Sequence, residues 1–375
     1  MNNVCFLLLF SFVLDFTLVN AQGRERNSVG VFYDQDYTLE QIGLKKLNED
    51  RNYTMGLGFF WSSPSLANWV IYRPHDWLIM KFHSAVKTNY KICSVMFANG
   101  SFTPDDLTDH NPILNDRPYA SLTYLQASAT YHDTVDFKAY TVSFSAGMIG
   151  TSISREVQTA IHESMNHHDS IEPHTPRGWG NQISTEGSPS MLLEYRQDYL
   201  ISKTPLEGRV DNSSTARLGG EFKSAWKASL GWYTMVSGEL TYRWGWIDPL
   251  SWTYQTNPLG SSNKVNAPSQ SLQTHYSRKG RGEAYIFSTC RINAIVYNVL
   301  LSGQGGADAV NIPSSWVRHG VLDGVAGICL SPEFSHKTIV DIKMMFNYRS
   351  PEFEAPDRAP RWHYWMGIDL LISML

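Results

Sequence analysis

The dominant period along the chain is two. Tyr140, Val142, Phe144, Ala146 and Met148 alternate with Thr141, Ser143, Ser145 and Gly147. Trp226, Ala228, Leu230 and Trp232 alternate with Lys227, Ser229, Gly231 and Tyr233, and Leu240, Tyr242, Trp244 and Trp246 do the same. Val340, Ile342, Met344 and Phe346 repeat the pattern, as do Trp362, Tyr364, Met366, Ile368, Leu370, Ile372 and Met374. Successive side chains of a strand point to opposite faces, so each segment is a strand with one apolar face and one small or polar face. Strands of roughly ten residues with aromatic residues toward their ends are the pattern of a transmembrane β-barrel. A soluble β-sandwich also alternates. The barrel is favoured because the apolar face carries so many large aromatics and because the last strand runs to the final residues. The expected fold class is all-β, an antiparallel transmembrane β-barrel.

One segment breaks the period. In Arg155-Glu-Val-Gln-Thr-Ala-Ile-His162 and its flanks, Ile153, Val157, Ile161 and Met165 fall four apart, which is one face of a helix. Gln158 and His162 are also four apart and share a neighbouring face. Histidine is the usual general base of hydrolytic chemistry. A surface helix with a solvated histidine is the plainer alternative. Residues 34–51, 104–118, 162–182 and 257–282 are irregular and polar and read as loops.

Composition narrows the class. Residues 1–21 have the form of a cleaved signal peptide, an apolar run ending at Ala21, and residues 22–375 form a single barrel domain. No later apolar run is long enough for a transmembrane helix. The net charge of −4 offers no basic footprint, so no nucleic-acid partner is expected. Cys93, Cys290 and Cys329 remain after the leader, an odd number whose pairing the sequence leaves open.

Four separated motifs carry a resemblance. They are Tyr33-Asp34-Gln35-Asp36-Tyr37; Asp50-Arg51-Asn52-Tyr53-Thr54-Met55-Gly56; Thr103-Pro104 with Asp116-Arg117-Pro118-Tyr119-Ala120; and Val157-Gln158 to His162 with Gly178-Trp179-Gly180-Asn181-Gln182. Tyr348-Arg349-Ser350-Pro351-Glu352-Phe353 fits as well. Together they resemble the lipid A 3'-O-deacylase (LpxR-type) family of outer-membrane barrels. The resemblance implies about twelve strands in the bacterial outer membrane, with a site between the barrel wall and a short extracellular-loop helix. It implies calcium-dependent hydrolysis of the 3'-acyloxyacyl ester of lipid A, the lipopolysaccharide anchor. His162 would be the base, with Gln158 and Thr54 as the other catalytic groups, and Asp36, Gln35 and Thr54 would bind Ca²⁺. Hard oxygen donors suit that ion.

Departures from the family pattern are specific. Gln35 stands where the family has Asn, and Ser121 replaces a Gly. The segment after Pro104 lacks the family's lysine. An inactive barrel with a passive or binding role, or an outer-membrane phospholipase, are the competing readings. Arg117 and Pro118 are expected to position a strand entry, Tyr119 to belong to the wall, Trp179 to pack a loop, and His167 and His168 to be solvated.

Overall fold

The computed structural model describes residues 27–36, 52–83, 90–133, 136–166, 176–185, 187–205, 217–247, 251–252, 282–304, 310–335 and 338–374. The expected leader, Tyr37, Asp50, Arg51, His167, His168 and nearly all of the loop at 257–282 lie outside the described residues. The strands are β1 (Asn27–Gln35), β2 (Asn52–Ser62), β3 (Tyr90–Thr103), β4 (Ala120–Asp133), β5 (Lys138–Ile149), β6 (Ser188–Pro205), β7 (Arg217–Gly231), β8 (Tyr233–Ile247), β9 (Glu283–Asn298), β10 (Gly320–Ser331), the short β11 (Glu333–Ser335), β12 (Thr338–Arg349) and β13 (His363–Met374). The helices are α1 (Arg73–Phe82), α2 (Ile153–Asn166) and the single turn α3 (Val299–Ser302).

Twelve of these strands close on themselves. Each pairs antiparallel with its chain neighbour, β10 pairs with β12, and β1 returns to β13 from Asn27↔Met374 to Gln35↔Met366. The seam is pinned inside by the Ser28 and Ser373 hydroxyls, 2.7 Å apart. Closure removes sheet edges, which hydrocarbon does not tolerate because it offers no hydrogen-bond partners. Among the described residues no helix is long and apolar enough to cross a membrane, so the strands do the crossing.

The alternation sorts into two environments. Val236, Leu240, Tyr242, Trp244 and Trp246 of β8 face outward and are exposed, while Ser237, Glu239, Thr241 and Arg243 face inward and are buried. Trp232 departs from the expected outward phase. Gly231, at φ +138°, turns the chain where an added Cβ would lie 2.0 Å from the Met191 carbonyl oxygen. That turn shifts the phase and sinks Trp232 into the interior, 5.5 Å from the Tyr124 ring. All three described cysteines are free, with Cys93 and Cys329 buried and Cys290 exposed.

The lumen is filled by paired charges. Glu239 accepts from Arg196 at 2.7 Å and from Arg291 Nε at 2.9 Å, and Arg196 also reaches Asp198 at 2.9 Å. Glu221 holds Arg243, and Asp323 holds Arg349. Taking one partner from such a buried set leaves an uncompensated charge. Glu239→Gln should therefore cost about 3–5 kcal/mol, read as earlier loss of the compact band when the barrel is heated in SDS. The wild-type barrel itself should run faster unboiled than boiled. Mobility independent of heating would contradict the closed barrel.

Candidate active site

Strand phase defines an unusual patch on the outer wall. Residues Ala98, Gly100, Phe102, Leu122 and Tyr124 point inward, four of them within the interior cluster. Their neighbours Asn99, Ser101, Thr103, Ser121 and Thr123 therefore point outward. Further along the same strands this outer face is apolar: Val95 and Phe97 on β3, Leu125 and Ala127 on β4. At one rim it turns polar over five positions. A polar patch facing lipid is costly unless something covers it.

Helix α2 covers it. Gly150, at φ +83°, ends β5 where a Cβ would meet the Ser184 carbonyl oxygen at 1.7 Å, and this turn starts the chain back over the wall. Ser154 Oγ then lies 2.7 Å from Ser101 Oγ, 2.7 Å from Ser121 Oγ and 3.1 Å from Asn99 Oδ1. Thr151 Oγ1 adds contacts of 2.8 Å to Ser121 and 2.9 Å to Thr123. The serine at position 121, a departure from the family pattern, thus becomes an anchor for the helix.

Ser154, Gln158 and His162 are spaced four apart and form one stripe of α2. Ser154 and Gln158 are buried and His162 is half-buried, whereas Ile153 is exposed and Val157 and Ile161 are only half-buried. The helix buries Ser154 and Gln158 more fully than Ile153, Val157 and Ile161, the reverse of a helix on a water-soluble protein. Gln158 is oriented by Trp179, whose indole Nε1 donates to Gln158 Oε1 at 2.9 Å. Trp179 is 2% exposed and rests on Tyr119 with ring centroids 4.8 Å apart. Its expected packing role is thus joined by a positioning contact. Gln158 Nε2 is buried and has no hydrogen-bond partner among the described residues.

The second group of candidates stands on β1 and β2. Gln35 pairs in register with Met55, and the Asp36 amide donates to the Thr54 carbonyl at 3.4 Å. Thr54 sits at the register shift between Tyr53 and Met55, and its hydroxyl lies 2.6 Å from that of Thr103. Gln35 accepts from the Tyr33 hydroxyl. Asp36 is fully buried. The two groups are linked through the patch: Thr54 touches Thr103, Ser101 lies two residues earlier on the same outer face, and Ser101 touches Ser154, which heads the stripe bearing Gln158 and His162. Among the described residues no set of three His, Cys, Asp or Glu side chains is close enough to hold a metal by itself. The oxygen set here is one carboxylate, one amide and one threonine.

Arg117 belongs to the interior, as a positioning residue would. It is buried, lies over the Phe102 ring at 4.5 Å and binds Glu352. Burial opposes charge on Glu352, but the Arg117 and Arg349 guanidiniums outweigh it and hold the carboxyl below its usual range. Asp116 takes Arg358 and Arg361. This fixes the segment 350–362 against the segment before β4, at the same rim as α2.

A family model described as outer membrane protein LpxR matches residues 5–366. The chain belongs to the LpxR family. Membership makes it an outer-membrane barrel of a lipid A deacylase family. The solved structure of LpxR from Salmonella typhimurium aligns with a TM-score of 0.63 at 14% identity, covering 92% of this chain and 99% of that one. The shared fold includes the twelve-stranded closure. The β-domain of a Bordetella autotransporter, BrkA, and the translocator domain of NalP from Neisseria meningitidis align with TM-scores of 0.39 and 0.34, at 6% and 8% identity, covering 94% and 97% of this chain and 99% and 92% of theirs. No curated protein sequence matches the chain.

Motif reading named Thr103 and Ser121 but did not join them to Asn99, Ser101 and Thr123 as one polar wall patch. Its signal was present. Asn99, Ser101 and Thr103 occupy three successive outward positions of β3, where the barrel pattern calls for apolar residues.

Proposed function

We propose that this LpxR-family barrel hydrolyses the 3'-acyloxyacyl ester of lipid A, using water activated by His162 between α2 and the outer wall. The observation that supports this reading most is the inverted helix: α2 turns Ser154 and Gln158 to the wall and leaves Ile153, Val157 and Ile161 less covered. Acyl chains can approach an apolar surface at the rim while the ester enters a polar seam, so the substrate need not leave the membrane. A phospholipid could share the acyl chemistry, but family membership favours lipid A.

In this mechanism His162 takes a proton from water as the water oxygen attacks the ester carbonyl. The carbon–oxygen bond to the sugar then breaks, and the imidazolium returns the proton to the departing hydroxyl. Gln158 is held by Trp179, and its Nε2 has no partner among the described residues, so in this reading the amide orients the carbonyl or binds developing negative charge. Asp36, Gln35 and Thr54 supply only hard oxygen donors, and a buried carboxylate at a strand end suits a divalent cation, so the set fits Ca²⁺ as a partial cage completed by water or substrate. When bound, the ion would polarise the ester carbonyl.

The purified barrel, incubated with lipid A in mixed micelles, should release a single acyloxyacyl acid. Release of fatty acid from phospholipid alone would favour the phospholipase reading, and no release from either lipid would favour a passive barrel.

A further inference from the structure

At the barrel end opposite α2, the chain between β2 and β3 lies along the outer wall. It runs through a 3-10 turn at Pro64–Asn68, a second at Val70–Tyr72, and α1. One side is fastened to the wall. Leu66, Tyr72 and Ile79 pack with Cys93, Ala129 and Tyr131 on outward faces of β3 and β4. The Tyr72 hydroxyl donates to the Ser94 carbonyl at 2.7 Å, and His75 Nε2 lies 3.0 Å from the Ala127 carbonyl. Asp76 binds Lys91 at 2.7 Å and accepts from the Tyr131 hydroxyl at 2.8 Å. The segment is therefore held in one place and one orientation.

Its other side is also apolar. Trp69, Val70, Ile71, Trp77, Met80 and Phe82 are all exposed, Trp77 at 60% and Phe82 at 70%. A helix apolar on both sides is an element that expects burial on both sides. A contiguous apolar surface left in water is an aggregation liability, and one of this kind marks a contact. Two observations identify the contact. The wall beside the segment is the lipid-facing belt itself, continued by exposed Phe97 on β3 and Leu125 on β4. Asp76 on α1 is paired with Lys91, and the other charges of the helix are basic, Arg73 at its start and Lys81 at its end, both exposed. Long basic side chains beside an apolar helix face extend toward lipid phosphates while their stems stay in the apolar region.

We propose that residues 64–82 are a membrane-lying strap, and that its outer face is covered by acyl chains of phospholipid in the leaflet opposite the α2 site. Only the choice of leaflet rests on the proposed function, which requires the α2 end to face outward. The strap widens the barrel's hydrophobic contact on the side of β3 to β5 and fixes the depth of that side in the bilayer. Its apolar face is not a docking site for another protein.

The test uses the full-length barrel in phosphatidylcholine vesicles whose acyl chains carry bromine, a short-range quencher. The emission of Trp77 is taken as wild type minus Trp77→Phe, a conservative change on the exposed face. Most of that emission should be lost in brominated vesicles, and it should be insensitive to iodide in the water. Quenching by iodide without quenching by bromine would place the face in water. Quenching by neither would mean a protein surface covers it, and either result overturns the proposal. The readout does not involve hydrolysis, so protein carrying His162→Gln should give the same result even if the catalytic reading fails.

Discussion

His162→Gln should abolish most lipid A hydrolysis while leaving the barrel intact. A positioned general base contributes about 10²–10⁴-fold, and glutamine keeps size and polarity but cannot take up a proton at neutral pH. The loss should lie in kcat rather than in KM, because the side chain acts on water and not on acyl chains. The barrel should survive, since α2 is tethered by Ser154 and Thr151, two and three turns before the histidine. Turnover measured on lipid A, beside heat-dependent mobility of the same preparation, separates the two effects. Wild-type turnover in His162→Gln would make the inactive-barrel reading the better one.

Removing calcium should be as severe. Excess chelator is expected to bring hydrolysis down to the level of empty micelles, and added Ca²⁺ should restore it. Asp36 is the one carboxylate in the proposed oxygen set, so Asp36→Ala should lower Ca²⁺ affinity by no less than the ~10–100-fold seen for residues that merely support metal ligands. Gln35→Asn, which shortens the amide to the family's residue, should tolerate the ion at least as well as the wild type. Hydrolysis undiminished in chelator would remove the ion from the account and leave His162 to act without it.

The barrel was legible because lipid and lumen impose opposite polarities on alternate positions, and β5, β7, β8, β12 and β13 carry that signal plainly. The phase slipped at Trp232, where a single glycine with positive φ resets the alternation and no strand pattern reports it. The helix at 153–166 was legible from its spacing, but its orientation was not. Its apolar positions look like a buried face to anyone assuming water outside. On a lipid-facing wall the buried face is the polar one, and Ser154, which the motifs do not include, is its anchor. The link from β2 to α2 through Thr103 and Ser101 depends on a strand register with a shift at Thr54, which local sequence does not encode. Arg117 was legible as a residue that positions a strand entry, beside Pro118, and Trp179 as one that packs a loop, between Gly178 and Gly180.

The central claim is that this barrel removes an acyl group from lipid A through the α2 seam. Mass spectrometry of lipid A from bacteria expressing the wild-type chain, His162→Gln, or neither tests it most directly. The account predicts a lipid A species lighter by one acyloxyacyl unit with the wild type, and unmodified lipid A in the other two. Identical lipid A in all three, with folded barrel present in the outer membrane, would contradict it.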